Sequence, residues 1–158
     1  EIYQCDWSSD VCSSDLTRKS DGSFPNGWEP SFLALLLWSN LFVALTRVFG
    51  VPKTMGYIRD LAETLPLSPG SLEAVSRKVD ALRKTFRFLL LARKQPCLIR
   101  GLSIYFYGKR MDLPVSLCFG ARLQSGSLKG HCWIREHGIL RFEVEDIIEQ
   151  FATFLEYD

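Results

Sequence analysis

The chain has 158 residues, 47% of them apolar, and a formal net charge of +1 at pH 7. This length and composition allow one buried core, with or without a helical extension. The small charge and the lack of a basic block with interleaved aromatic residues argue against a nucleic-acid-binding protein. No CxxC, HxxxH or phosphate-binding glycine pattern occurs, so we expect neither a metal nor a cofactor.

Residues 1–16, EIYQCDWSSDVCSSDL, are unlike the rest of the chain. The run Cys5–Leu16 resembles the in-frame translation of a sequencing-library adapter, so we take residues 1–16 as non-native; a disordered Ser/Asp tail is the alternative. Cys5 and Cys12 then leave the cysteine count. The remaining three cysteines lack disulfide spacing, which favours a reducing, cytoplasmic location.

Residues 17–94 are predicted to form a helical N-terminal region. Its first helix is the apolar run Phe32–Phe49, which Gly50-Val51-Pro52 ends. Polar residues at 39, 40 and 47 keep the uninterrupted apolar length below the roughly 18 residues of a spanning helix. We therefore favour a buried helix over an interfacial one, and membrane association is not the favoured interpretation.

A second amphipathic helix is predicted from Ser71 to about Arg93. Ser71 and Glu73 are typical of a helix start. Apolar residues recur at intervals of three and four, which favours packing against a core over a groove for a partner: Leu72, Val75, Val79, Leu82, Phe86 and Leu89.

Residues 95–158 change character and are predicted to be an α+β unit. Pro96 opens a helix that runs to about Met111. The strand Val115–Leu123 follows, and the runs Lys129–Glu136 and Ile139–Val144 form a hairpin. The segment Glu145–Tyr157 is predicted to be a closing amphipathic helix.

The hairpin register decides which side chains meet. A three-residue loop, Glu136–Gly138, places His131 directly opposite Glu143. It also separates polar from apolar residues, because the apolar ones (Cys132, Ile134, Leu140, Phe142 and Val144) then share one face. A two-residue turn would put His131 and Glu143 on opposite faces, so we prefer the longer loop.

Three residues carry the chemistry that the sequence predicts. Cys97 lies in the first turn of its helix, where unsatisfied backbone N–H groups and the helix dipole favour a thiolate. His131 can act as the base and Glu143 can orient it, which are the parts of a cysteine peptidase or acyltransferase. The alternative for Cys97 is a buried packing residue, as we expect for Cys118 and Cys132.

Two further residues near these three are left with open roles. Trp133 is either a substrate-binding lid over the site or an aromatic at its rim. Arg100 could contact substrate or stabilise its own helix.

Several motifs together resemble a known family. Pro96–Leu102 (PCLIRGL), Leu113–Gly120 (LPVSLCFG), His131–Ile134 (HCWI) and Glu143 resemble the transglutaminase-like leader peptidase of lasso peptide biosynthesis, the B protein. Its members carry C-L-x-R-[AG]-L, L-P-[AV]-x-[LF]-x-[IFV]-G and H-A-W-[VIL]. This chain departs from them at Cys132, which replaces alanine, and at Glu143, where aspartate is more frequent.

The resemblance covers most of Trp28–Glu145 and implies a fold and an activity. The fold would be a papain-like or transglutaminase-like core, with Cys97 at a helix N-terminus and His131 and Glu143 on an antiparallel sheet. The enzyme would cut the leader from a precursor peptide through a thioester with Cys97. A separate cyclase would then use the freed amine to close the lasso ring, and a separate leader-recognition protein would deliver the precursor.

Two other functions remain open at this point. One is a transglutaminase-like acyl transfer to an amine, which needs the same three residues. The other is a non-catalytic scaffold that binds peptides or a membrane, for which Cys97 would be dispensable.

Overall fold

The computed structural model describes residues 31–65, 70–85 and 96–158. The adapter-like residues 1–16 and the predicted helical residues 86–93 lie outside these ranges. The elements run in the order α1 (Phe32–Thr64), α2 (Leu72–Thr85), α3 (Pro96–Arg110), β1 (Val115–Gln124), β2 (Ser127–Glu136), β3 (Ile139–Arg141), α4 (Glu145–Ile148) and β4 (Ala152–Tyr157).

Helix α1 begins at a serine cap and is broken once. The Ser31 hydroxyl accepts a hydrogen bond from the Ala34 N–H at 3.2 Å. Gly50 has a φ of 78°, so two helical segments meet there, and Pro52 lies in the first turn of the second. The predicted break at Gly50 is confirmed. The second segment, which continues to Thr64, was not predicted.

Only one face of α1 is buried. Leu35, Ser39, Phe42 and Val43 lie inside the protein, while Leu33, Leu37, Leu41 and Val48 are exposed. The helix is long and apolar enough to cross a membrane, and 22% of its most apolar window is buried. A single helix of this kind is weak evidence for a membrane span. The expectation of a buried helix therefore holds for one face only.

Helix α3 is the central element of the helical layer. Ser71 caps α2, as predicted, by accepting a hydrogen bond from the Ala74 N–H at 3.2 Å. Both α1 and α2 pack against α3, which also covers the sheet. Gly101 of α3 allows this close approach, since a Cβ there would lie 2.8 Å from Leu117 Cδ1. As a result, Cys97 sits at the start of a helix enclosed by other elements.

The strands form one four-stranded antiparallel sheet in the order β3-β2-β1-β4. Strands β1 and β2 pair from Val115↔Glu136 to Gln124↔Ser127. They are joined by Ser125 and Gly126, which have φ values of 52° and 78°. Two positive φ values fit the tight turns that match the twist of a hairpin. The predicted strand at Val115–Leu123 is confirmed.

The register predicted for the second hairpin is wrong. Glu136 pairs with Ile139 and Ile134 with Arg141, so the turn has two residues, His137 and Gly138. The prediction assumed that polar and apolar residues separate onto two faces, but both faces of β2 are covered. Cys132 and Ile134 pack into the main core, while Trp133 packs with Ile148 and Phe151 in a second cluster. Segregation by polarity therefore could not indicate the register.

The predicted closing helix Glu145–Tyr157 is also wrong. Only Glu145–Ile148 is helical, and Ala152–Tyr157 is a strand that pairs with the free edge of β1. Ile147, Ile148, Phe151 and Leu155 have helical spacing, which produced the error. In the structure Ile148 and Phe151 pack below the sheet, and Leu155 lies opposite Phe119. The α+β architecture itself is as predicted: a helical N-terminal part followed by an antiparallel sheet.

Candidate active site

The structure places Cys97 where the sequence predicts it, in the first turn of α3 after Pro96. The side chain is 3% exposed and packs in the main core. Cys97, Cys118 and Cys132 form no disulfide. A thiol at a helix N-terminus lies beside backbone N–H groups that have no partner within the helix, and these can stabilise a developing negative charge.

The structure brings His131 and Glu143 together by a route other than the predicted one. Continued past Arg141, the two-residue hairpin register would put Glu143 opposite Cys132. The strand instead ends at Arg141, and Phe142 adopts a φ of 65°. This left-handed residue reverses the side-chain alternation, and Glu143 Oε2 lies 4.0 Å from His131 Nε2.

Cys97 and Glu143 line the same small pocket, together with Arg100, Cys132 and Trp133. Its volume of about 10 Å³ is that of a single water molecule. His131 is not among the lining residues in the described part of the chain. The acid is thus close to both partners, while the thiol and the imidazole do not share the pocket in this closed form.

Burial dominates the electrostatics of the pair. It lowers the pKa of His131 to about 4, with further lowering from the positive charges of Arg100 and Arg122. Burial raises the pKa of Glu143 above its ordinary value, and Arg100 opposes that rise. His131 is therefore neutral near pH 7. A neutral imidazole is the form that can take a proton from a thiol.

The hydrogen-bonding state of His131 fits an incompletely assembled site. Its Nε2 atom is buried and has no hydrogen-bond partner among the described residues. Glu143 Oε2, at 4.0 Å, lies just beyond hydrogen-bond distance. A small movement of either side chain would close this gap and direct Nε2–H to the carboxylate, leaving Nδ1 to receive a proton.

Arg100 is the site residue whose role the sequence left open. Its guanidinium donates to Glu143 Oε1 at 2.9 Å, to the Phe142 carbonyl at 3.3 Å and to the Ser76 hydroxyl at 3.1 Å. It also lies 3.4 Å from Asp80 Oδ1. The sequence signals for it were its position three residues after Cys97, which indicates that both side chains lie on one side of α3, and its match to the arginine of the C-L-x-R-[AG]-L motif.

Trp133 is buried and lines the small pocket in this form of the protein. It is 1% exposed, and its ring stacks on that of His131 at 6.2 Å between centroids. Phe151 contacts His131 from another side, at 5.3 Å. Both rings therefore hold the imidazole in place. The assignment of Trp133 to substrate binding stays a prediction.

No group of three or more His, Cys, Asp or Glu side chains suited to a metal ion occurs among residues 31–65, 70–85 and 96–158.

The fold and the site together define a class of protein. A cysteine at the N-terminus of a central helix, packed on an antiparallel sheet that carries a histidine, forms an α+β, papain-like core. The transglutaminase-like superfamily domain matches residues 40–155, from within α1 to within β4. The chain belongs to the transglutaminase-like superfamily, whose members are generally cysteine peptidases or acyltransferases. No curated protein and no solved structure is significantly similar to it.

Proposed function

We propose that this protein is a cysteine peptidase that removes the leader from a lasso peptide precursor. The observation that carries the proposal is the convergence of Cys97 and Glu143 on one pocket, with His131 at 4.0 Å from the same carboxylate. Membership of the transglutaminase-like superfamily supports thiol-based acyl chemistry. The motifs around Cys97, Leu113 and His131 support the lasso leader peptidase within it.

The proposed reaction uses the three residues in sequence. Neutral His131 takes the proton of Cys97 as the sulfur attacks the scissile carbonyl, and the Cys97 backbone N–H stabilises the oxyanion. The imidazolium, oriented by Glu143, then protonates the leaving amine of the core peptide. The leader remains as a thioester on Cys97. Water hydrolyses this thioester and releases the leader with a free carboxylate.

The closed pocket implies a requirement for this reaction. Cys97 is 3% exposed and His131 2%, so neither can meet a peptide bond in this form. The proposed peptidase must open at the pocket, and its reaction requires the sulfur and Nδ1 of His131 to come within hydrogen-bond distance. We assign this opening to the binding of the precursor together with its separate leader-recognition protein. The freed amine would pass to a lasso cyclase in the same, cytoplasmic, compartment.

The test first identifies the neighbouring genes, which the proposal expects to encode a precursor peptide and a leader-recognition protein, and then assays cleavage of that precursor. Mass spectrometry should show a leader ending in a carboxylate and a core peptide with a free amine. Cys97→Ala should lower the cleavage rate by roughly 10³-fold or more, since the nucleophile is lost.

Cys132→Ala is the matched control, because Cys132 lines the same pocket. It should cleave at nearly the wild-type rate. A leader hydroxamate formed with added hydroxylamine, with no leader carboxylate formed when hydroxylamine is left out, would instead indicate an acyltransferase. No cleavage by the wild type, together with undiminished biological function of Cys97→Ala in cells, would leave only the scaffold interpretation.

A further inference from the structure

Arg100 joins three parts of the protein that are distant in sequence. Two of its contacts lie on α2, at Ser76 and Asp80, and two lie on the bend after β3, at Phe142 and Glu143. The side chain is 17% exposed and that of Glu143 is 8% exposed, so this ion pair is largely removed from water. Such pairs are geometrically specific because the planar guanidinium fixes the direction of each bond.

The contacts at the bend restrain both the backbone and the side chain of the segment. Arg100 Nη1 donates to the Phe142 carbonyl at 3.3 Å and to Glu143 Oε1 at 2.9 Å. Phe142 is the residue with the φ of 65°, a conformation that costs a bulky side chain about 1–2 kcal/mol. Its ring also lies against the Arg100 guanidinium, at 5.5 Å. Arg100 therefore stabilises the unusual bend that turns Glu143 towards His131.

The remaining oxygen of the carboxylate is left for the imidazole. Oε1 is held by Arg100, and Oε2 is the atom 4.0 Å from His131 Nε2. The other charged groups that act on Glu143 are Asp80 and Arg83, and Arg122 acts on His131. Unlike those groups, Arg100 contacts the carboxylate directly.

We infer that Arg100 is a positioning residue that holds Glu143 towards His131 and ties the acid to helix α2. The inference deepens the proposed function and rests on it for the reaction that Glu143 serves. Arg100 touches no reacting atom. It acts through the carboxylate of Glu143. Because Arg100 also contacts α2, the site is correctly assembled only when α2 is packed against α3.

The charge of Arg100 can be separated from its geometry by two substitutions. Arg100→Gln removes the charge, whereas Arg100→Lys keeps the charge but cannot reach Ser76, Phe142 and Glu143 together. The chain has two histidines, the buried His131 and the exposed His137. With so few histidines, NMR titration of the His131 imidazole gives a direct readout at the site.

We expect the His131 titration midpoint to rise by roughly one pH unit in Arg100→Gln, because a neighbouring positive charge is removed. In Arg100→Lys it should stay close to the wild-type value. Alkylation of Cys97 by iodoacetamide, followed by peptide mass spectrometry, should slow by ~10-fold or more in both variants, since the base is no longer oriented. If Arg100 had a purely structural role, Arg100→Lys would not slow the alkylation of Cys97 while leaving the His131 midpoint unchanged.

Two further variants keep the inference testable if Arg100→Gln does not fold. Ser76→Ala removes one partner of the guanidinium without a change of charge. It should slow Cys97 alkylation several-fold and leave the His131 midpoint unchanged. Arg77→Gln, which removes an exposed cation from the same helix, should leave the alkylation rate unchanged.

The inference is overturned if the His131 midpoint and the alkylation rate are both unchanged in folded Arg100→Gln. Failure of the proposed function has a different signature. With the leader peptide and the leader-recognition protein present, wild-type Cys97 would then be alkylated no faster than Cys118 and Cys132, while the midpoint shift in Arg100→Gln would still support the position of Arg100 beside the pair.

Discussion

The two carboxylate oxygens of Glu143 have different partners. Oε1 accepts from Arg100 at 2.9 Å, and Oε2 lies 4.0 Å from His131 Nε2. A glutamate has one more methylene group than the aspartate frequent in the family that this chain resembles, and a longer side chain has more rotamers to restrict. The ion pair with Arg100 supplies that restriction, so the longer acid is compatible with a defined orientation.

Burial of His131 predicts a pH-dependent stability. The imidazole has a pKa of about 4 in the folded protein and an ordinary value near 6.5 when unfolded. The unfolded chain therefore binds the extra proton first as the pH falls. The free energy of unfolding should decrease by about 3 kcal/mol between pH 7 and pH 4 on account of this residue. Urea unfolding at a series of pH values measures the decrease.

His131→Asn isolates the histidine in that experiment, because every other titrating group is shared with the wild type. Its free energy of unfolding should depend less on pH over the same range. Parallel pH profiles for the two proteins would show that His131 is not buried in solution.

At the scale of the elements, local chemistry explains what the sequence could predict. The starts of α2 and α3 followed from Ser71 and Pro96, and the end of β1 followed from the turn residues after it. The second hairpin was mispredicted because His137 adopts a φ of 51°, which allows a two-residue turn. The separation of polar from apolar residues in the sequence had favoured the three-residue loop. The strand β4 was missed because its pairing with β1 depends on an edge far away in sequence.

Gly120 illustrates how β1 accommodates the aromatic ring beneath His131. A Cβ at this position would lie 2.6 Å from Trp133 Cη2 and 3.1 Å from the Ala152 carbonyl oxygen. We expect Gly120→Ala to reduce the free energy of unfolding by about 1–3 kcal/mol, because neither the ring nor the backbone can move aside freely. Chemical denaturation gives the value directly.

Gly56→Ala is the matched control, since a Cβ at Gly56 meets nothing within 4 Å and the residue is helical. The same substitution should there stabilise the protein, by up to about 1 kcal/mol. Equal effects at the two glycines would contradict the packing of Trp133 across β1.

At the scale of the whole molecule, the helical layer has an apolar outer face. Leu35 of α1 is fully buried, whereas Leu37, two residues later, is 62% exposed. We expect Leu37→Gln to change the free energy of unfolding by less than about 0.5 kcal/mol and to weaken binding of the dye ANS to the folded protein.

Leu35→Gln tests the opposite face of the same helix turn. It should destabilise the protein by about 3 kcal/mol or more, because a polar amide replaces a fully buried leucine. A larger loss of stability for Leu37→Gln than for Leu35→Gln would place the wrong face of α1 against the core.

The order of elements allowed the fold class to be predicted, but the contacts that assemble the site could not be. Cys97, His131 and Glu143 were identified from residue type and local context. The partners of Arg100 lie 20 to 43 residues away from it, on elements whose packing no local pattern specifies. The φ of 65° at Phe142, which brings Glu143 to His131, likewise has no signature in a bulky aromatic residue.

Cys97 and Arg100 are three residues apart on α3, so the thiol and the anchor of the acid are separated along the axis by only ~4.5 Å of rigid helix. The hairpin packs against a guanidinium on the same helix as the nucleophile. That helix therefore fixes the distance between the hairpin and the thiol. A protein designer who transplanted α3 together with the segment from β2 to Glu143 would carry the spacing of the site along with it. One who grafted Cys97, His131 and Glu143 alone would lose the spacing.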